Sequence, residues 1–320
     1  VAVAQAGVLV CATSNGIFAY EVDADSVDEI TALGFETGYF QALDLYAYIL
    51  FPTTITAVEL AGVIRYLDEN TNATKNPVGD LTSYWRGRTD LVTPKFGATD
   101  LSGVTNFSRA WQQCSSLTSM PAIALTAGTD FTAAWYYDTS LTSFLATGLD
   151  SGTNFSNAWD NCSALATFPA IPLTAGTNFT SAWQSCTSLT SFLATGFDTG
   201  SAIDFSQAWQ SCTALVTFPA ISLASGTSFN HAWRDCTSMT TFSATGLDSG
   251  TVLSNAWYGC TALATMPAIP LTAGLNFNTT WYNCTALTSF LATGLDSGTN
   301  FTSAWSGCSS LATMPAIPLT

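Results

Sequence analysis

The stretch Phe179-Thr180-Ser181-Ala182-Trp183-Gln184-Ser185-Cys186-Thr187-Ser188-Leu189-Thr190-Ser191-Phe192 decides the fold, because its pattern recurs on both sides along the chain. After Trp85, tryptophan returns at Trp111, Trp135, Trp159, Trp183, Trp209, Trp233, Trp257, Trp281 and Trp305. The spacing is 24 residues, stretched to 26 at two places. A period in that range marks a solenoid, whose units are too small to bury their own apolar faces and become stable by stacking. Phe stands four before each Trp from Phe107 to Phe301, with Leu253 departing. Cys stands three after it at Cys114, Cys162, Cys186, Cys212, Cys236, Cys260, Cys284 and Cys308, with Asp138 in the one gap. Leu or Met follows at six and Phe or Met at nine, so each unit carries an apolar set at fixed offsets.

Spacings of three and four around the Trp predict a short helical turn, F-[ST]-x-A-W-x-x-C, with Ser, Thr or Asn near its start capping open amides. The following L-x-[ST]-F-P-A-I or L-x-[ST]-F-L-A-T is short, apolar and closed by Pro or Gly, which predicts extended chain. The expected fold class is therefore a repeat solenoid with one helical turn, one bend and one strand per 24-residue unit. Two flavours alternate and give a deeper period of 48: one carries P-A-I-P-L-T-A-G (Pro169 to Gly176), the other L-A-T-G-L-D-S-G (Leu145 to Gly152). Two extra residues fall between Gly200 and Phe205, in a loop, where added length costs little.

The string Ala182-Trp183-Gln184-Ser185-Cys186-Thr187-Ser188-Leu189-Thr190-Ser191-Phe192 resembles the BspA-type leucine-rich repeat, which has A-F-x-x-C-x-x-L-x-x-I at the same offsets. Surface-lipoprotein repeats of mycoplasmas and repeat tracts of phage tail proteins are similar. Here Trp replaces the usual Phe, and Phe or Met the usual Ile. The resemblance spans about residues 100 to 320 in nine consecutive units. It implies a leucine-rich-repeat-like fold and use as a surface-displayed scaffold for adhesion and recognition, with no particular ligand.

Three segments follow: residues 1–79, a small α+β anchoring or capping domain; 80–106, a degenerate first repeat and junction; and 107–320, the solenoid proper. In the first, Gly7 to Val22 reads as two strands joined at Ser14-Asn15-Gly16, and Thr56 to Asn70 has helical apolar spacing. The degenerate repeat keeps Trp85 but has Arg88 in the Cys position. The first residue is Val, and the sequence stops within Pro315 to Thr320, partway into a repeat; truncation and assembly through that end both remain expectations.

Charged residues make up 9% of the chain, against about 25% in ordinary soluble domains, so Ser, Thr, Asn and Gln must keep the repeats hydrated. Net charge is −15 and Arg234 is the one cation beyond Trp111, which argues against nucleic acid and against docking on anionic lipid. No run of about 20 apolar residues is present to insert in a membrane.

The Cys column reads as buried thiols filling small apolar space; rung-to-rung disulfides and metal binding are the alternatives, though no C-x-x-C or Cys/His clamp is present. His231 falls at a variable position (Arg109, Asn157, Ser181, Gln207, Ser303 elsewhere) and reads as a surface residue. The Asp of G-L-D-S-G and its variant (Asp150, Asp198, Asp248, Asp296) suits a turn, with calcium as the alternative. Eight N-x-[ST] sequons, including Asn154 and Asn178, arise from the consensus. No catalytic set, cofactor fingerprint or metal site can be assembled, so an enzyme is not expected.

Binding is then expected from surface columns. One lies beside each Trp and changes while the core does not; its candidates are Gln112, Gln113, Tyr136, Tyr137, Tyr258 and Tyr282. The other is the hydroxyl-bearing strand face, as at Thr190-Ser191, Thr240-Thr241 and Thr288-Ser289, a solvated sheet or a contact surface for carbohydrate or ice. The expected function is non-enzymatic recognition on a cell or virion surface, such as a phage tail fibre or appendage, with a protein or glycan receptor on a host and docking into a larger assembly. The alternative is a structural subunit that self-assembles into a fibre or outer decoration.

Overall fold

In the computed structural model the chain is described over residues 7–13, 16–22, 47–51, 79–83, 85–87, 89, 91–92, 101, 103–197 and 203–313. It divides into two compact units, Val1–Asp80 with Thr93–Val104, and Leu81–Val92 with Thr105–Thr320. In the first, β1 (Gly7–Thr13), β2 (Gly16–Val22) and β3 (Ala47–Phe51) form an antiparallel sheet in the order β2-β1-β3. Thr13 pairs with Gly16 at the closed end of the β1–β2 hairpin, where the Asn-Gly signal placed the turn. The helix expected over Thr56 to Asn70 lies outside the described residues.

The second unit is a coil of stacked rungs. Successive indoles from Trp85 to Trp305 lie nearly parallel, within 16° of one another, at centroid separations from 5.0 to 5.9 Å. A second file of rings, the Phe four before each Trp, stacks beside it, as in Phe131 on Phe155 at 5.2 Å. The strand Phe residues enter edge-on from the other side: Phe144 lies against Trp135 at 87° and against Trp159 at 85°. Trp111 through Trp281 and Cys114 through Cys284 have no exposed surface. Gly176 marks where backbone must approach this core closely, since a Cβ there would collide with the Phe179 ring.

The expected helical turn is not formed. Among the described residues the one helical element is a 3-10 turn at Leu247–Ser249. The segment around each Trp is instead a run of linked turns in which the residues two before and two after the indole are left-handed, as at Ala133 (φ 52) and Tyr137 (φ 64). The N–H groups of Phe131, Ala133, Trp135 and Tyr137 donate to the carbonyls of Asn154, Ser156, Ala158 and Asp160 in the next rung, at 2.8 to 2.9 Å. Those of Ala134, Tyr136 and Asp138 close local turns on the residues three before them. Thr132 N–H takes the remaining role by donating to Asp130 Oδ1. Every amide from Phe131 to Asp138 is thus satisfied, which backbone buried against a core requires. A helix would have spent these amides within one rung; the linked turns spend half of them on holding rungs together.

This bonding has a direction. The carbonyl of Asp130 and the N–H of Phe131 belong to one peptide group, which accepts from Phe107 and donates to Asn154. Repeated along the coil, such peptides form columns with every N–H facing the C-terminal rungs. In a parallel β-strand, successive inter-strand bonds run both ways.

The strands are as read, but only two residues long, and they pair in parallel two by two: Ser119–Met120 with Ser143–Phe144, Thr167–Phe168 with Ser191–Phe192, Thr217–Phe218 with Thr241–Phe242, and Thr265–Met266 with Ser289–Phe290. The alternation follows from proline. Leu145 N–H donates to the Met120 carbonyl, as Leu193 does to Phe168 and Leu291 to Met266. In the other flavour Pro121, Pro169, Pro219 and Pro267 hold that position and have no N–H to give. The 48-residue period is therefore built into the hydrogen bonding. A bridge column on the remaining side runs from Asn106 through Asp130, Asn154 and Asn178 to Asp204, so the two added residues leave the register intact.

Burial of this kind sets a large cost for removing one ring. Trp209→Ala should destabilise by at least ~3 kcal/mol in chemical denaturation. The Trp209 indole N–H is buried without a hydrogen-bond partner, so Trp209→Phe removes an orphan donor along with some apolar area. It should cost less than half as much as alanine.

Candidate functional site

The candidate residues beside the indoles fall on the outer surface of the linked turns, in two columns with different constraints. Those two after the Trp are all left-handed: Gln113, Tyr137, Asn161, Ser185, Ser211, Asp235 and Asn283 have φ between 55 and 64, and Gly259 and Gly307 have 70 and 81. Asn, Asp and Gly suit that conformation, so much of the variation there reflects backbone demand. Gln113, Tyr137, Ser185 and Ser211 do not fit this explanation. Tyr137 is 43% exposed despite its size, which singles it out, since unfavourable backbone at an exposed aromatic is a feature associated with function.

The column one after the Trp contains Gln112, Tyr136, Asp160, Gln184, Gln210, Arg234, Tyr258, Tyr282 and Ser306. Gln112 departs from its expected place on the surface: it is 8% exposed, and its Oε1 is buried without a partner. Gln184 and Gln210 at the same offset are half-buried. Tyr136 is half-buried and its ring meets Tyr137 at 4.8 Å and 58°. Further along, the Arg234 guanidinium sits 4.6 Å from the Tyr258 ring centre, and Tyr258 stacks on Tyr282 at 4.9 Å and 9°. Asp235 pairs with Arg234 at 3.2 Å. Tyr258 is thus stacked between the Arg234 guanidinium and the Tyr282 ring, and Tyr282 has one face against Tyr258. Tyr137, outside any such column, keeps more of its ring surface open. With Gln112 buried, the structure divides the other five candidates into a Tyr136–Tyr137 group beside Gln113 and a separate Tyr258–Tyr282 ladder.

Burial shapes the ionisable groups. Asp160 is raised from 3.8 to about 7, first by desolvation and against the opposing Asn161 Nδ2–H bond of 2.7 Å. Burial, and then Asp160, push the Tyr136 phenol up. His231 is half-buried rather than on an open face; it is held below its ordinary value by burial and then by Arg234, with Asp235 opposing, and its Nδ1 lies 2.8 Å from Asn230.

The seven thiols from Cys162 to Cys308 form no disulfide. Each donates to the carbonyl of the Trp in the preceding rung, at 3.0 to 3.2 Å. Desolvation pushes Cys162, Cys186, Cys212 and Cys260 well up, and Cys236 to about 12, which suppresses the thiolate that nucleophilic or metal chemistry requires. Among the described residues no three His, Cys, Asp or Glu side chains converge to hold a metal ion. The sequons at Asn154 and Asn178 have a local purpose: each Oδ1 accepts the N–H of its own Ser156 or Thr180. Asp130 and Asp204 do the same.

On the strand face the hydroxyls of Thr190, Thr240 and Thr288 point back into the coil and donate to carbonyls of the preceding rung. Sequence reasoning missed the partly exposed apolar side chains there: Leu145, Leu193 and Leu291 are 53%, 48% and 51% exposed. They occupy the outward position that proline fills in alternate rungs, which an apolar letter in an apolar strand does not reveal.

No protein-family model matches the chain, and no curated protein matches it. Among solved structures, the chain is similar to a leucine-rich repeat protein from Bacteroides ovatus, with 16% identity over 65% of this chain and 69% of that one and a TM-score of 0.32.

Asp160 gives the site a pH dependence with a defined sign. Its folded value lies above its unfolded one, so the stability supplied by the neutral form is complete below about pH 3.8 and is lost as pH rises to about 7. Asp160→Asn should flatten the fall in denaturant midpoint across that window, as read from urea titrations at several pH values.

Proposed function

We propose that the repeat array is a leucine-rich repeat solenoid of the BspA type that serves as a non-enzymatic recognition scaffold on a cell or virion surface. The observation that carries this reading is the contrast between interior and exterior. Every rung keeps the same buried Trp and almost every rung the same Phe, Cys and Leu, while the position one after the Trp, buried at Gln112 and Asp160 and half-buried or exposed in the other rungs, changes through Gln, Tyr, Asp, Arg and Ser. A fixed core under a variable surface is what a scaffold with interchangeable contacts requires. The sequence offsets of A-W-x-x-C-x-x-L support the family reading, since each fixed letter is a buried ring, thiol or methyl. The raised, fully buried thiols from Cys162 to Cys260 and the lack of a converged acid–base set among the described residues speak for binding over catalysis. The receptor is a protein or glycan, engaged through Tyr136, Tyr137 and Gln113, and the N-terminal unit attaches the array to a larger assembly.

Binding of the purified chain to an array of bacterial surface polysaccharides and animal glycans, and to intact bacterial cells, tests the reading. Tyr137→Ala should weaken any specific signal at least ~10-fold, in line with loss of an exposed aromatic contact of roughly 1.4 kcal/mol or more. Concentration-dependent polymers in sedimentation, without binding to either surface, would favour the fibre-subunit alternative instead.

A further inference from the structure

One rung breaks the thiol column, and its replacement is an acid. Asp138 occupies the position of Cys in the rung of Trp135 and has no exposed surface. In the other rungs the thiol has two jobs. Its hydrogen goes to the carbonyl of the Trp 27 residues back, or 29 across an added pair, as from Cys162 to Trp135 and from Cys212 to Trp183. Its sulfur accepts the N–H of the preceding column member, as Cys162 does from Asp138 and Cys186 from Cys162. Asp138 visibly does the second job, since its Oδ1 accepts Cys114 N–H at 2.8 Å. Its Oδ2 is buried and has no donor. The residue 27 before it is Trp111, whose carbonyl is the acceptor the missing thiol would have served.

We propose that Asp138 is a neutral carboxylic acid in the folded protein, with Oδ2–H donating to the Trp111 carbonyl, so that the rung bearing Tyr136 and Tyr137 is locked by a proton. A carboxyl that accepts through one oxygen and donates through the other reproduces both bonds of the thiol. A carboxylate would set negative charge against a carbonyl oxygen at a position with no exposed surface. The titratable residues that meet it are Cys114 on the rung before, whose N–H it accepts, and Cys162 on the rung after, whose sulfur takes its own N–H; no cation is among the causes that set its value. Burial is the main cause that raises its value, and the Cys114 N–H opposes it. As the folded value lies above the unfolded one, the neutral form's contribution is complete at acid pH and is lost as pH rises through the folded value. The inference is independent of what the array recognises.

Carboxyl carbon NMR on the full chain with carbon-13 aspartate tests it. The signal that disappears in Asp138→Cys belongs to Asp138, and it should keep the protonated shift from pH 4 through pH 7. Asp160 is told apart by its own titration near pH 7. Asp138→Asn, whose amide accepts and donates in the same places, should match or exceed the wild-type urea midpoint at pH 7.5, while Asp138→Ala falls below it. An Asp138 signal that titrates near 4, or an asparagine variant as unstable as the alanine one, would overturn the proposal. The wild-type titration decides the matter even if a variant fails to fold.

Discussion

Half of the peptide groups around each tryptophan are hydrogen-bonded to a neighbouring rung, and the rest of the array follows from that constraint. To present alternate amides along the coil, the backbone must pass between right- and left-handed residues, two before and two after the indole. The Phe, Trp and Cys side chains of each rung are buried together in the core. The rings can then stack file on file, and the thiol lies against the preceding Trp carbonyl. Cohesion between rungs is therefore polar and apolar at once: directional bonds fix the register, and about 5 Å ring stacking supplies buried area. Neither would hold a lone 24-residue unit, whose amides would lack partners and whose rings would face water.

Much of this was legible in the letters. The Trp metronome announced stacked repeats, the fixed Phe, Cys and Leu offsets announced the core, and L-x-[ST]-F announced the strands. The segment between was misread for a physical reason. Spacings of three and four satisfy a helical turn and a chain of linked turns equally well, because both bring Phe179 and Trp183 to one side. The distinguishing signal was the position two after Trp, where Asn161, Asp235, Gly259, Asn283 and Gly307 recur: residues that tolerate left-handed backbone at a fixed offset contradict a helix interior. The burial of Gln112 was not legible, because the same residue at the same offset is half-buried at Gln184 and Gln210.

The alternation of Pro and Leu connects sequence history to surface. A missing N–H in every second rung groups the strands in pairs, and the same position turned outward shows Pro169, then Leu193, then Pro219 to solvent. Against this regular background the departures stand out as local. Tyr137 with its left-handed backbone, Asp138 in the thiol column and Asp160 buried beside Tyr136 all cluster within two consecutive rungs. Other departures, Leu253 in the Phe column and buried Thr280 in the Ala column, lie further along the array, but this interval is the one that adjoins the Tyr136–Tyr137 surface.

The account stands on rung-to-rung bonding by alternate amides, and a scalar coupling across the hydrogen bond of Trp183 N–H reads it directly. The nitrogen of Trp183 should couple to the carbonyl carbon of Ala208, its partner at 2.8 Å in the next rung. Coupling instead to the carbonyl of Phe179, four residues back in the same unit, would establish a helical turn and contradict the architecture from which the core, the thiol column and the surface have been derived.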